Sequence, residues 1–165
     1  MSVIIPRKKF LSLSLFGSIG VLLGKSAVAL DKPQKPPPLE AELVKEFVAK
    51  SHNDLNRVKE LLTQTPGLLN CSWDWGGGDF ETGLEAAGHV GNKDIAQFLL
   101  ENGARMNLFC AAMLGRIDIV KSTLTAFPNL KTSKGPHGLQ LIHHAKKGGD
   151  GAREVLQYLE SIGAQ

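Results

Sequence analysis

Thr82 to Asn107 reads TGLEAAGHVGNKDIAQFLLENGARMN, and its letters predict a helix, a tight turn, a second helix and a glycine stop. Thr82 stands where a helix should begin and Glu85 follows three residues later, so hydroxyl and carboxylate can each satisfy an orphan backbone N–H in a capping box. Leu84 is the apolar residue of the first turn, and Ala86, Ala87 and Gly88 keep the helix slim enough for close contact with a neighbour. Gly91 supplies the positive φ that ends it. Ile95, Phe98 and Leu99 then recur at the i, i+3, i+4 spacing of one apolar face, with Lys93, Asp94, Gln97 and Glu101 turned to water. Gly103 ends the second helix. A unit of this size cannot bury its apolar face alone, so copies of it must stack.

Copies are found on both sides. Phe109, Ala111, Ala112, Gly115, Ile119, Val120 and Leu124 repeat the two-helix pattern downstream. Upstream, Val44, Phe47, Val48 and Ala49 make a first helix, Asn53 takes the glycine turn, and Leu55, Val58, Leu61 and Leu62 make a second. Gly138, Ile142, His143 and Ala145 open a last unit, and Val155, Leu156, Leu159 and Ile162 carry its final helix to Gly163 and Ala164. A two-residue excess between Gly148 and Gly151 blurs the phase there.

The pattern resembles the ankyrin repeat, T-P-L-H-x-A-A-x-x-G-H followed by an apolar helix and G-A-D-V-N. Thr82, Leu84, Ala87, Gly91, Ile95, Leu99, Leu100, Gly103, Ala104 and Asn107 fall on matching positions, with Gly83 and Glu85 in place of the family's Pro and His. The resemblance covers roughly Glu40 to Ala164, strongly in the second unit, fairly in the third and weakly in the outer two. It implies an all-α solenoid of about four helix pairs, with inner helices beginning near Glu40, Thr82, Asn107 and Leu139. The hairpins are expected to be reduced. Gly115 follows Gly91 by only 24 residues, against a family period of about 33, and Asn107 can cap the next helix at once. Leu99 and Phe98 are both expected in the core between units.

Residues 1–29 read differently. Arg7, Lys8 and Lys9 precede an apolar stretch from Phe10 to Gly24, and Ala27-Val28-Ala29 supplies the small residues of a cleavage site, the pattern of a secretory signal peptide cut after Ala29. The apolar stretch is short for a membrane span of about 20 residues; the alternative is an uncleaved anchor. Arg7 to Leu11 also resembles the twin-arginine export signal, with Lys8 in the second arginine position. Residues 30–39 form a proline-rich linker that is semi-rigid and solvated, and residues 40–165 form one domain. The expected location is periplasmic or secreted.

Cleavage changes the charge. Arg7, Lys8, Lys9 and Lys25 leave, taking Lys plus Arg from 19 to 15 against 16 acids, so the mature chain carries −1 where the full chain carries +3. The basicity is a targeting feature, and nucleic-acid or membrane-surface binding, which needs a clustered basic face, is not expected.

No motif gathers an acid, a base and a nucleophile, so no enzyme and no cofactor are expected. Cys71 and Cys110 fall in different units, too far apart in stacked repeats for the Cα spacing of about 4.4–6.8 Å that a disulfide tolerates, and Cys110 beside Ala111 and Ala112 suits a small buried thiol. His143 and His144 are adjacent on a helix and point about 100° apart, so they cannot share one ion. His143 matches the repeat's structural histidine, which bonds backbone at the turn. His89 ends an inner helix, where a solvated or capping role suffices. No metal site is expected from these residues or from His137. Gly76-Gly77-Gly78 lacks the Lys-Ser or Lys-Thr of a phosphate loop.

That glycine run belongs to an insertion. Asn53 to Gly91 spans 38 positions, about five more than the family period, and the excess lies in Ser72 to Glu81, which holds both tryptophans, a third aromatic and three carboxylates. In ankyrin-like stacks the partner lies against the loop tips and the concave face of the inner helices. The resemblance therefore implies a protein partner bound by Trp73, Trp75, Asp79 and Phe80 on the loop and by Ala86, Cys110, Met113 and His144 on the helices, in a monomeric, non-enzymatic interaction module. Alternatives are an inhibitor or immunity-like partner of a secreted enzyme, a carbohydrate or cell-wall binding module, and tryptophans that fold back over the first unit.

Overall fold

The computed structural model describes residues 35–164; the expected signal segment, 1–29, and the start of the expected linker, 30–34, lie outside them. Glu40 is still extended, and helix α1 (Ala41–Lys50) follows it, burying Phe47 and Val48. A turn over Ser51 to Asn53 reverses the chain. The Asp54 side chain then accepts the Arg57 backbone N–H and caps α2 (Leu55–Gln64), whose Val58, Leu61 and Leu62 return to the same core.

The second pair is built as its letters predict. α3 (Gly83–Val90) starts from the Thr82–Glu85 capping box and stops at left-handed Gly91, and α4 (Lys93–Glu101) is capped by the Asn92 side chain. Asn107 accepts the Cys110 N–H and opens the short α5 (Leu108–Met113) with no hairpin before it. Left-handed Gly115 leads into α6 (Ile117–Ala126). The last pair is α7 (Leu141–Lys147) and α8 (Arg153–Ser161), and the glycine-rich excess between them is a short 3₁₀ turn, Gly149–Ala152.

Each odd-numbered helix packs on the even one that follows it, and successive odd helices pack on one another, α1 on α3, α3 on α5 and α5 on α7. Two apolar clusters result. One joins the first two pairs through Phe47, Leu61, Leu84, Ile95 and Leu99, and the other joins the last two through Ala112, Val120, Leu141, Val155 and Leu159; Met106 borders both.

The insertion is not a loop. Ser72–Asp74 (β1) and Phe80–Thr82 (β2) pair antiparallel, with Trp73 opposite Glu81, so the described residues, mostly helical, carry one two-stranded sheet. A trace of a second hairpin, the isolated bridge between Lys134 and Gln140, precedes α7.

Four residues assigned to the concave surface need correction. Ala86, Cys110, Met113 and His144 are buried, at 0–1 % exposure. Alanine and glycine along α3, α5 and α7 let these helices approach so closely that their facing side chains have no surface left for a partner. Among the described residues, no helix is long and apolar enough to cross a membrane.

Candidate functional site

The hairpin tip is set by one carboxylate and three glycines. Asp74 Oδ1 accepts the backbone N–H groups of Gly76 and Gly78 at 2.8 and 3.1 Å. Gly76, Gly77 and Gly78 all have positive φ, a conformation that side chains with a Cβ resist. The turn lets the Trp75 indole fold back so that its Nε1–H donates to Glu81 Oε2 at 2.7 Å. Glu81, opposite Trp73 in the register, is thereby held inside, with 0 % exposure.

Three imidazoles converge on that carboxylate. His52 comes from the turn after α1, His89 from the last turn of α3 and His137 from the loop before α7. Glu81 Oε1 lies 3.0 Å from His89 Nε2 and 3.4 Å from His137 Nε2, Glu81 Oε2 lies 3.6 Å from His52 Nε2, and the Nε2 atoms of His52 and His89 are 3.0 Å apart. One ligand-type atom from each of the four residues falls within 4.8 Å of all the others. Burial pushes the Glu81 carboxyl up, but the His89 ring and the Trp75 N–H outweigh it, and the group lies below the usual glutamate range.

The imidazoles are held from behind. His52 Nδ1 faces the carbonyl oxygens of Val48 and Ala49 at 3.1 and 3.0 Å. His137 Nδ1 lies 2.8 Å from Asp79 Oδ2, and the His137 backbone N–H donates to Asp79 Oδ1 at 2.8 Å. That backbone N–H, with the His137 ring, holds the Asp79 carboxyl below the usual carboxylate range. Among the described residues His137 is the one non-glycine with positive φ, 58°; such outliers persist where surrounding contacts over-determine them. Beside the cluster opens a shallow hollow of about 550 Å³ lined by Ala49, His52, Asn53, Trp75, Val90 and His137.

Of the residues singled out in sequence, the structure brings Trp75 and Asp79 to this cluster, Trp75 behind Glu81 and Asp79 behind His137. Phe80 points outward, 60 % exposed. Trp73 folds back on the first helix pair, with Lys45 Nζ 5.6 Å above its ring. His143 bonds backbone, its Nε2 lying 2.9 Å from the His89 carbonyl. Cys71 and Cys110 are free thiols, and burial pushes them up to about 11 and about 12, so both are poor nucleophiles. Sequence reading passes over His52 and Glu81 and gives His89 only a capping role.

His144 stands apart, buried between α5 and α7 with Phe109 against its ring, and its Nδ1–H donates to the Gln140 carbonyl at 2.9 Å. Burial pushes its pKa down to about 4, whereas in the unfolded chain it titrates near 6.5. Between those values the unfolded chain binds a proton that the folded chain refuses, so stability falls with pH. The stability tied to a neutral His144 is complete above about pH 6.5 and declines toward pH 4, by about 3 kcal/mol in all. A His144→Gln variant, which keeps a donor for Gln140, should lose less stability than the parent between about pH 7 and pH 4.5 in urea denaturation. Equal losses in the two proteins would remove His144 as the source.

No family model, curated protein or solved structure matches the chain.

Proposed function

We propose that residues 40–164 are an ankyrin-like repeat module that binds a protein partner in an exported compartment and catalyses no reaction. The observation that carries this reading is the packing of four successive helix pairs, each inner helix lying on the next, with left-handed glycines at Gly91 and Gly115 in corresponding turns. Such stacks expose extended surfaces built from many short segments, which suit recognition better than chemistry. Burial of the inner-helix residues moves the proposed contact to the hairpin side. There Trp75 (38 %), Phe80 (60 %) and Val90 (37 %) leave apolar surface exposed. Trp75 and Val90 also line the hollow.

Affinity capture from the native exported fraction with the full chain tests the reading. Phe80 has no interior role, so Phe80→Ala should weaken capture by about 2 kcal/mol, roughly 30-fold, with the helical signal and melting temperature unchanged. Unchanged capture by a folded Phe80→Ala, Val90→Ala double variant would take the partner off this face.

A further inference from the structure

We propose that His52, His89, His137 and Glu81 bind a single divalent transition-metal ion, with Zn²⁺ the ion that their donor set and spacing fit. The inference is independent of whether the module binds a protein.

Proton placement is the first argument. His52 Nδ1 faces two carbonyl oxygens and His137 Nδ1 faces a carboxylate, all acceptors, so both rings carry their proton at Nδ1. In a neutral imidazole the lone pair is then at Nε2. His137 Nε2 then lies 3.4 Å from Glu81 Oε1 and His52 Nε2 3.6 Å from Oε2, each near a carboxylate that only accepts. His89 Nε2 sits 3.0 Å from both His52 Nε2 and Glu81 Oε1, and its single proton can serve one of them. Glu81 Oε1, wholly buried, makes no well-formed hydrogen bond. An acceptor cluster with too few protons is what a bound cation resolves.

Geometry is the second argument. Zn²⁺ binds imidazole nitrogen and carboxylate oxygen at about 2.0–2.1 Å in a tetrahedron, which sets neighbouring ligand atoms about 3.3 Å apart. Among the proposed ligand atoms, His89 Nε2 lies 3.0 Å from His52 Nε2 and 3.0 Å from Glu81 Oε1, and His137 Nε2 lies 3.4 Å from Glu81 Oε1, all close to that value. Three imidazoles with one carboxylate suit zinc better than calcium or magnesium, which prefer oxygen alone.

The outer partners are the third. Metal-bound histidines donate their second N–H to a carboxylate or backbone carbonyl, which fixes the tautomer and aims the ring. Asp79 does this for His137 and the α1 carbonyls do it for His52, while the Trp75 N–H occupies Glu81 Oε2 and leaves Oε1 for the ion. The hollow, walled by His52, Trp75 and His137, gives the ion a route in. One ion here would tie the first turn, the hairpin, the end of α3 and the loop before α7 together.

The full chain, stripped with a chelator, should bind one equivalent of Zn²⁺ by calorimetry, melt at a higher temperature with Zn²⁺ present, and give Co²⁺ the intensified visible absorption of a four-coordinate site. Asp79→Asn, on the exposed hairpin and remote from the core, should raise the Zn²⁺ dissociation constant about 10- to 100-fold, and His89→Gln and Glu81→Gln should raise it further. Cys71→Ser should leave it unchanged. The proposal is overturned if the stripped chain shows no saturable Zn²⁺ binding. It is equally overturned if His89→Gln and Glu81→Gln, or a folded Asp79→Asn, bind Zn²⁺ as tightly as the parent.

Discussion

Leu99→Ala is expected to lower the unfolding free energy by about 2–5 kcal/mol, the sum of lost transfer energy and the cavity left behind. Leu99 is wholly buried and belongs to the cluster that joins the first two helix pairs, alongside Val58, Leu61 and Ile95. Val58 and Leu61 stand on α2 whereas Ile95 shares α4 with Leu99, so the vacated space can be filled only by moving one helix against the other. Phe98 behaves differently. It lies at the rim, partly buried with Lys59 Nζ 5.4 Å above its ring, so Phe98→Ala should cost less than Leu99→Ala rather than as much or more. Chemical denaturation of the two variants checks both statements, and a near-parental midpoint for Leu99→Ala would contradict the core assignment.

Gly115→Ala is expected to be comparably damaging although it adds a single methyl group. Gly115 has φ 71°, where an L-residue with a Cβ costs about 1–2 kcal/mol. A Cβ there would also run into the carbonyl of Gly151 in the turn before α8, a backbone group that cannot rotate away. Overpacking adds about 1–3 kcal/mol, so the total falls near 2–5 kcal/mol. Gly149→Ala offers the contrast: it too has positive φ, 58°, but a Cβ meets nothing within 4 Å, so only the backbone cost applies. Equal melting temperatures for the two variants would show that the close approach of α5 and the Gly151 turn does not matter.

Helix positions are legible in this chain because their determinants are local. The Thr82–Glu85 box, the Asn107 cap and the glycine stops each act within one turn, and the apolar periodicity of α4 lies within nine residues. The hairpin is less so. Its tip is set by Asp74 accepting the N–H groups of Gly76 and Gly78, a turn signal that is present in the letters but hidden when the segment is taken as an insertion. Surface assignments fail for a further reason. The repeat phase says which helix carries Ala86 or His144, but how closely α3, α5 and α7 approach depends on all their small residues together. The histidine cluster is the least legible. His52, Glu81, His89 and His137 share no motif spacing and come from four segments; the phase sets His52 and His89 near corresponding ends of consecutive inner helices, but His137 arrives on a loop whose path depends on Asp79.

The bond between Asp79 and His137 spans 58 residues, and it changes how the molecule comes apart. In a linear array of repeats each unit is coupled to its nearest neighbours only, so the end units fray first and the array unzips by steps. Here a segment lying after the third helix pair grips one lying before the second. The helix pairs are cross-linked into a closed circuit, and releasing the final pair strains the hairpin that precedes the second. Loss of structure at one end is therefore felt at the other, and partial unfolding gives way to a more nearly all-or-none transition.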